Sequence, residues 1–279
     1  MYLRDVHAEG DIPTLHQLIR ENPLGILTTA IRSPAHPFIQ SSHVPFVLDV
    51  VDEEDADRGE SQDLGILRGH LARQNPQSKA MMQSVHALSD APPSLHPLPA
   101  GDVGSGVGAS RVLEDEVMVL FNTPVHHYVT PKFYVETKPQ SGKVVPTWNY
   151  AAAQVYGKAR IYFETASPET ADFLSRQVHD LSLHAETSIM GHTGVDSAPT
   201  PWAVSDAPDR YIQLLQKAII GVEIRIQRLE GKFKMSQEVS NGDREGVVQG
   251  FASMRSDVGS SMSSIVRERG RRQEKGTMR

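Results

Sequence analysis

Alternating apolar and polar residues predict short strands along much of the chain. Val44, Phe46 and Leu48 occupy every second position of the run that starts at Pro37, which is the period of a strand with one buried face. Similar runs start at Leu24, Leu64, Glu116, Gln154 and Val222. Because the runs of the first half follow each other closely, we predict an antiparallel sheet that closes into a barrel of six or seven strands.

A second period, of three to four residues, predicts helices around this sheet. Leu15, Leu18 and Ile19 share one helical face behind Asp11, which can act as an N-cap. Helical spacing also follows Asn75, Ser167 and Asp206. The helix after Asp206 is expected to bury a stripe formed by Ile212, Leu215 and Ile219. The fold class is therefore α+β, with an antiparallel barrel and peripheral helices.

Two segments break the pattern and are expected to be flexible insertions in one barrel domain that spans residues 1–250. The first, near 50–63, is acidic, and the second, near 90–110, is rich in Pro, Gly and Ser. Residues 251–279 are expected to form a C-terminal helix or basic tail that is partly disordered, because they end in "RERGRRQEKGTMR" and termini commonly fray.

Composition narrows the function classes. Apolar residues make up 39% and charged residues 22% of the 279 residues, the net charge is −6, and there is no cysteine. Disulfides, thiolate metal sites and cysteine nucleophiles are thereby excluded. No signal peptide or membrane span is apparent, so we expect a cytoplasmic protein without membrane partners. Nucleic-acid contact is expected, if anywhere, only at the basic C-terminal end.

The segment "LRGHLARQNPQ" from Leu67 carries the densest chemistry. Arg73 and Asn75 lie where a strand passes into a helix, and Lys79 follows one turn later. Backbone donors at a helix start, together with an arginine and a lysine, suit a bound phosphate. The alternative is structural: Arg73 would form a surface salt bridge and Asn75 would cap the helix.

Two histidines could face each other across the neighbouring strands. His43 follows Ser41-Ser42 in one strand, and His70 lies in the next. A metal site usually needs three or four ligands, and no carboxylates lie nearby at a regular spacing. We therefore predict no metal site.

Two further segments combine aromatic and polar residues. "GKVVPTWNY" presents Trp148 and Asn149 directly after Pro146, either as a core plug or as the wall of a pocket. "EGKFKMSQE" carries Lys234, Ser236 and Gln237, which suit either an anionic ligand or a solvated turn. Since no nucleophile or nucleotide-loop motif is present, any chemistry is expected to come from a bound cofactor.

Several of these segments, in this order along the chain, resemble the PaiB family. They are "NPLG" at Asn22, "HVPF" at His43, "GHLARQNPQ" at Gly69, "YVTPKFY" at Tyr128, "VVPTWNY" at Val144, "VYG" at Val155, "DAP" at Asp206 and "GKFKMSQ" at Gly231. The family is described as negative transcriptional regulators related to FMN-binding split β-barrels. The resemblance spans residues 1 to about 250.

The resemblance implies a split β-barrel that forms a homodimer and binds FMN in clefts between subunits. The phosphate contacts would come from a strand pair and the start of the next helix, which match Ser42, His43, His70, Arg73, Asn75 and Lys79. Trp148 and Asn149 match the motif that would flank the flavin ring, and the family segment at Gly231 contains Lys234, Ser236 and Gln237. A strand from Val222 with one face unassigned also favours a homodimer.

Three functions remain open on the sequence. The first is an FMN-binding protein that acts as an oxidoreductase on a small molecule. The second is a non-catalytic transcriptional regulator or ligand sensor, and the third is a haem-binding split barrel that uses His43 or His70.

Overall fold

The computed structural model describes residues 1–50, 64–90 and 111–277, and the side chains at 87–90 and 273–277 are not described. Apart from Val50 and Asp90, both predicted insertions lie outside these residues. The described strands are β1 (Ala8–Glu9), β2 (Leu24–Ala30), β3 (Ile39–Asp49), β4 (Ile66–Ala72), β5 (Val117–Asn122), β6 (His127–Val129), β7 (Thr147–Tyr162) and β8 (Ile219–Lys234). The described α-helices are α1 (Ile12–Glu21), α2 (Pro76–Asp90), α3 (Thr137–Ser141), α4 (Pro168–His184), α5 (Asp209–Lys217), α6 (Asn241–Ala252) and α7 (Asp257–Thr277).

The chain divides into two compact units. The terminal unit comprises Met1–Asn22, Leu120–Gln154 and Leu229–Arg279, and the barrel unit comprises Pro23–Val119 and Val155–Arg228. None of the described helices has the length and apolar character needed to cross a bilayer.

The barrel unit is a closed antiparallel sheet. Its strands follow the order β8-β4-β3-β2-β5-β7, and an additional pairing of β8 with β7 closes the circle. Gly157 permits this closure, since a Cβ built there would lie 2.1 Å from the carbonyl oxygen of Arg225 on β8. The structure thus confirms the predicted α+β class and antiparallel barrel.

Alternation along the strands fills the barrel as the sequence predicted. Val44, Phe46 and Leu48 are buried on β3, and Val222 and Ile224 are fully buried on β8. A period-two pattern places one side of each strand inward. The opposite face of β8 carries Arg225 and Gln227, which are exposed, and Glu223, which is half-buried. In this chain that face is therefore directed away from the barrel core.

Helix α4 covers part of the outer surface of the barrel. Phe173 on α4 stacks on Tyr162 of β7 with ring centroids 4.0 Å apart and an interplanar angle of 9°. Gly221 on β8 leaves room for this ring, because a Cβ there would lie 2.4 Å from Phe173. Tyr162, Phe173 and Leu174 form a small buried cluster.

The terminal unit combines short strand pairings with helices. β1 pairs with β8 at Ala8–Lys232, and β6 pairs with β7 at His127–Asn149. The N-terminal helix α1 is capped as predicted, because the Asp11 carboxylate accepts a hydrogen bond of 3.0 Å from the backbone N–H of Thr14.

The C-terminal segment contains a long helix, one of the forms predicted for residues 251–279. Helix α7 continues to Thr277, and its residues Met262 and Val266 are fully buried. Arg269 forms an ion pair with Glu9 and lies 3.5 Å above the ring of Phe233. The basic residues therefore belong to a packed helix, and the burial of one apolar stripe explains why the helix persists.

Candidate functional site

The predicted site residues form two groups, one in each unit. The barrel unit contains Ser42, His43, His70, Arg73, Asn75 and Lys79, and the terminal unit contains Trp148, Asn149, Lys234, Ser236 and Gln237. The two groups are described separately below.

Asn75 connects β3 with the start of α2. Its side-chain amide donates to Ser42 Oγ at 3.0 Å, and its Oδ1 accepts from the backbone N–H of Gln77 at 2.9 Å. The second bond satisfies one of the free donors in the first helical turn. Asn75 is therefore a helix cap that also holds the Ser42 hydroxyl in place.

Arg73 is held by the protein backbone. Its Nε donates to the carbonyl oxygen of Lys217 at 3.1 Å, and its Nη2 donates to that of Phe163 at 2.5 Å. Burial lowers the pKa of the guanidinium from its usual value. The structural alternative from the sequence was a surface salt bridge of Arg73. In the structure Arg73 instead bonds backbone carbonyl groups.

The two histidines are not directly opposite each other. The register between β3 and β4 pairs Phe46 with Gly69, so His43 lies two residues from the position opposite His70. His43 is exposed. Burial lowers the pKa of His70, so its ring is neutral near pH 7. The Nδ1 atom of His70 is buried and has no hydrogen-bond partner.

The first turn of α2 provides the remaining polar groups. Ser78 Oγ and Gln77 Oε1 are buried and have no hydrogen-bond partner among the described residues. The ammonium group of Lys79 is half-buried, and it forms no ion pair within the described ranges. A helix start with an unpaired cation favours the binding of an anion.

Gln77 connects the segments that meet at the start of α2, and no sequence pattern indicated this role. Its side-chain amide nitrogen lies 3.1 Å from each of three acceptors: the carbonyl oxygens of Leu27 and Gln40, and Oγ1 of Thr29. These contacts attach the start of α2 to β2 and β3. Because the three acceptors come from distant positions in the chain, local sequence gives no signal for them.

Arg68 is a second residue that the sequence analysis did not select. It is 2% exposed, forms two hydrogen bonds of 2.5 and 2.8 Å with Asp49, and forms an ion pair of 2.7 Å with Asp180. Desolvation alone would lower the pKa of Arg68, but the bonds and charges of the two aspartates raise it. The sequence signal that could have identified Arg68 was a charged residue between apolar neighbours in a strand.

In the terminal unit, Trp148 presents a half-exposed indole. Its side chain is 49% exposed, and Nε1 donates to Nδ1 of His126 at 3.2 Å. The ring of Tyr128 packs edge-on with centroids 6.2 Å apart. The exposure favours the pocket-wall interpretation over a core plug, and Pro146 lies immediately before β7 begins at Thr147.

Asn149 and Ser236 form a buried polar pair. Asn149 is fully buried, and its amide nitrogen donates to Ser236 Oγ at 3.0 Å. Ser236 has a φ of 61°, a left-handed conformation that non-glycine residues seldom adopt. The segment after β8 is thus held in a specific conformation against β7.

Lys234 and Gln237 mainly support this same segment. The Lys234 ammonium contacts Thr147 Oγ1 and forms an ion pair of 3.3 Å with Glu238. Gln237 binds within its own turn, with Oε1 accepting from the Met235 N–H at 2.6 Å. These contacts favour a structural turn for Gln237.

Glu238 joins Lys234 to the N-terminal segment. Its carboxylate also lies 3.1 Å from Nε2 of His7, which is 2% exposed. Burial alone would raise the pKa of Glu238, but a backbone hydrogen bond, the bond to His7 and the charge of Lys234 together lower it. Within the described residues, no cluster of potential metal ligands is found.

A closed antiparallel barrel with a polar junction between strand and helix defines a class of small-ligand-binding barrel proteins. Residues 1–228 match the family described as "Putative FMN-binding domain". The match covers most of the chain, and the protein therefore belongs to this FMN-binding split-barrel family.

Individual relatives agree with the family match. The chain is 54% identical over 275 residues to an uncharacterized protein of Aspergillus fumigatus, covering 99% of this chain and 100% of that protein. It is 22% identical over 159 residues to the protease synthase and sporulation protein PAI 2 of Bacillus subtilis, covering 57% of this chain and 66% of that protein. These findings confirm the resemblance that the motifs indicated.

One solved structure with a similar chain path is a flavocytochrome of Azotobacter vinelandii. The similarity has a TM-score of 0.40 at 11% identity, and it covers 83% of this chain and 72% of that chain.

The junction between β4 and α2 fits the phosphate end of FMN. The helix start supplies backbone donors, Lys79 supplies a positive charge, and the Ser78 hydroxyl is a buried polar atom without a partner. The Nε and Nη2 atoms of Arg73 already donate to backbone carbonyl oxygens. The family match gives no support to the haem alternative.

Proposed function

We propose that this protein binds FMN and uses it as an oxidoreductase that acts on a small molecule. The observation that carries the proposal is the junction from Asn75 to Lys79, in a chain whose residues 1–228 match an FMN-binding family. Bound FMN would supply hydride and electron transfer, for which the protein's own side chains are unsuited.

The chain's own residues would position the phosphate. The ammonium group of Lys79 and the first-turn N–H groups of α2 would contact it, while Asn75 holds the Ser42 hydroxyl toward the same junction. The contacts of Trp148 and Asn149 with the flavin ring remain predictions. Both residues lie in the terminal unit, so the experiment on Lys79 does not test them.

The proposal is tested with Lys79→Gln. The substitution removes a charge-assisted bond to a dianion, so the affinity for FMN should fall roughly ten- to a hundredfold. Lys217→Gln is the matched control, since Lys217 is an exposed lysine of the same unit and should leave the affinity unchanged. Isothermal titration with FMN measures both.

Equal FMN affinities of the wild type and Lys79→Gln would contradict this placement of the phosphate. The absorption spectrum of the purified protein separates flavin from haem. Oxidation of a nicotinamide by the FMN-loaded protein then tests the catalytic part. FMN binding without any turnover would favour the sensor or regulator alternative.

We further propose that the protein forms a homodimer through α5. Tyr211, Leu214 and Leu215 on this helix are 55%, 58% and 47% exposed. Of the predicted stripe, Leu215 is exposed, Ile212 is half-buried, and Ile219 begins β8 and packs against the cluster of Tyr162, Phe173 and Leu174. Closed twofold dimers are the commonest assembly that covers an exposed apolar face such as that of Tyr211, Leu214 and Leu215.

A further inference from the structure

A cleft of about 300 Å³ lies between α6 and α7 of the terminal unit. Its walls are formed by Asn241, Arg244, Glu245 and Val248 from α6, and by Arg267 and Arg271 from α7. This cleft lies outside residues 1–228, which match the FMN-binding family. Its function is therefore not explained by the family match.

The charges in the cleft are unequal. Three arginines face one carboxylate, that of Glu245. Arg267 and Arg271 lie one helical turn apart and are exposed, and neither forms an ion pair within the part of the chain that the structure describes. Like charges at this spacing repel each other on a helix. A bound anion would relieve that repulsion.

The other two arginines of the same helix are already neutralised. Arg269 pairs with Glu9, and Arg272 pairs with Glu268 at 2.7 Å. The four arginines of α7 thus divide by position: Arg267 and Arg271, which line the cleft, lack an ion pair among the described residues, and Arg269 and Arg272 have one. If the arginines of α7 served only to keep the protein soluble, their ion pairing would not need to depend on whether they line the cleft.

Arg244 forms the base of the cleft. It is 8% exposed, and its Nη2 donates to Oδ1 of Asn241 at 2.8 Å. The guanidinium lies against the backbone at Gly270, because a Cβ built there would be 2.5 Å from Nε and 2.9 Å from Cζ of Arg244. Any larger residue at 270 would displace this arginine.

The start of α6 already has acidic partners, since Asp243 lies in its first turn and the Glu136 carboxylate accepts a hydrogen bond of 2.6 Å from Ser240 Oγ. The positive charge of the cleft therefore comes from the arginine side chains. Glu245, one turn further, accepts from Gln249 at 3.1 Å. Its carboxylate suits a hydroxyl donor on the organic part of an anionic ligand.

We propose that the cleft between α6 and α7 binds a small phosphomonoester that carries hydroxyl groups, such as a sugar phosphate. Arginine side chains match the geometry of phosphate oxygens in paired hydrogen bonds. Arg267 and Arg271, which have no ion pair among the described residues, supply positive charge that complements a phosphate dianion. The cavity volume is at the lower end of the range for small-molecule sites.

The proposal is tested on the full-length protein by isothermal titration with inorganic phosphate and with glucose 6-phosphate at low ionic strength. The double variant Arg267→Gln/Arg271→Gln should bind both probes at least about tenfold more weakly than the wild type. Arg272→Gln is the matched control on the same helix and should bind them as the wild type does. Melting curves establish that all variants are folded.

A second comparison separates this cleft from the FMN site. With the FMN site saturated by FMN, Lys79→Gln should leave phosphate binding unchanged, and the double variant should leave FMN affinity unchanged. Loss of phosphate binding in Lys79→Gln, with normal binding in the double variant, would overturn the cleft proposal while supporting the flavin site. Absence of binding to either probe, or salt-dependent binding of a short DNA duplex alone, would also overturn it.

Discussion

At the residue scale, the sequence is compatible with two roles for Arg73, a phosphate contact and a structural contact. Its position before a helix start suits a phosphate contact. In the structure, its guanidinium instead bonds the carbonyl oxygens of Lys217 and Phe163. Three segments of the barrel unit therefore meet at one side chain, and we expect the main contribution of Arg73 to be to stability.

The Arg73→Ala substitution should lower the free energy of unfolding of the apo protein by about 1–3 kcal/mol, because two carbonyl groups lose a charged donor. FMN affinity should change little. Chemical denaturation and FMN titration measure the two effects, and Gln74→Ala, at the exposed neighbouring position, serves as the control. A large loss of affinity at unchanged stability would restore the phosphate role of Arg73.

At the element scale, α7 shows that a basic, polar segment can form part of a packed unit. Its apolar residues are few, and Met262 and Val266 are both fully buried. Val258 on the same helix is 42% exposed. The helix therefore contributes one narrow apolar stripe to the terminal unit, whereas a frayed tail would bury neither residue.

Val266→Ala should reduce the free energy of unfolding by about 1–3 kcal/mol, because it removes two buried methyl groups and leaves a cavity. Val258→Ala makes the same chemical change at the exposed position and should have almost no effect. Denaturant titration of both variants checks this contrast. Equal, negligible effects at the two positions would mean that α7 is not packed in solution.

At the scale of the whole molecule, the exposed apolar residues bear on whether the protein forms a homodimer. The exposed residues Tyr211, Leu214 and Leu215 lie close together on α5, while the outward face of β8 is exposed but polar, with Arg225 and Gln227. The proposed dimer interface is therefore the apolar face of α5.

Leu214→Glu should shift the protein from dimer toward monomer, since a charge would be buried in the proposed interface. Gln213→Glu adds the same group at a polar position of α5 and should leave the assembly unchanged. Sedimentation velocity at roughly micromolar concentration distinguishes these species. A wild-type protein that sediments as a stable monomer would exclude the dimer.

The local pattern was sufficient for most elements. The strand from Val222 and the N-cap at Asp11 depend on neighbours within a few residues, and both are found as predicted. The stripe on α5 was predicted from the same kind of pattern, yet Leu215 is 47% exposed. Periodicity identifies an apolar face but does not say whether this chain or another covers it.

The sequence by itself determined the α+β class, the antiparallel strands and the family, because these follow from short-range periodicity and from motifs in a conserved order along one chain. Only the tertiary structure decided that carbonyl groups hold Arg73 and that Gln77 connects three segments. It also decided which arginines of α7 line a cleft. These properties depend on which distant residues meet, and contacts of that kind leave no periodic signal in the sequence.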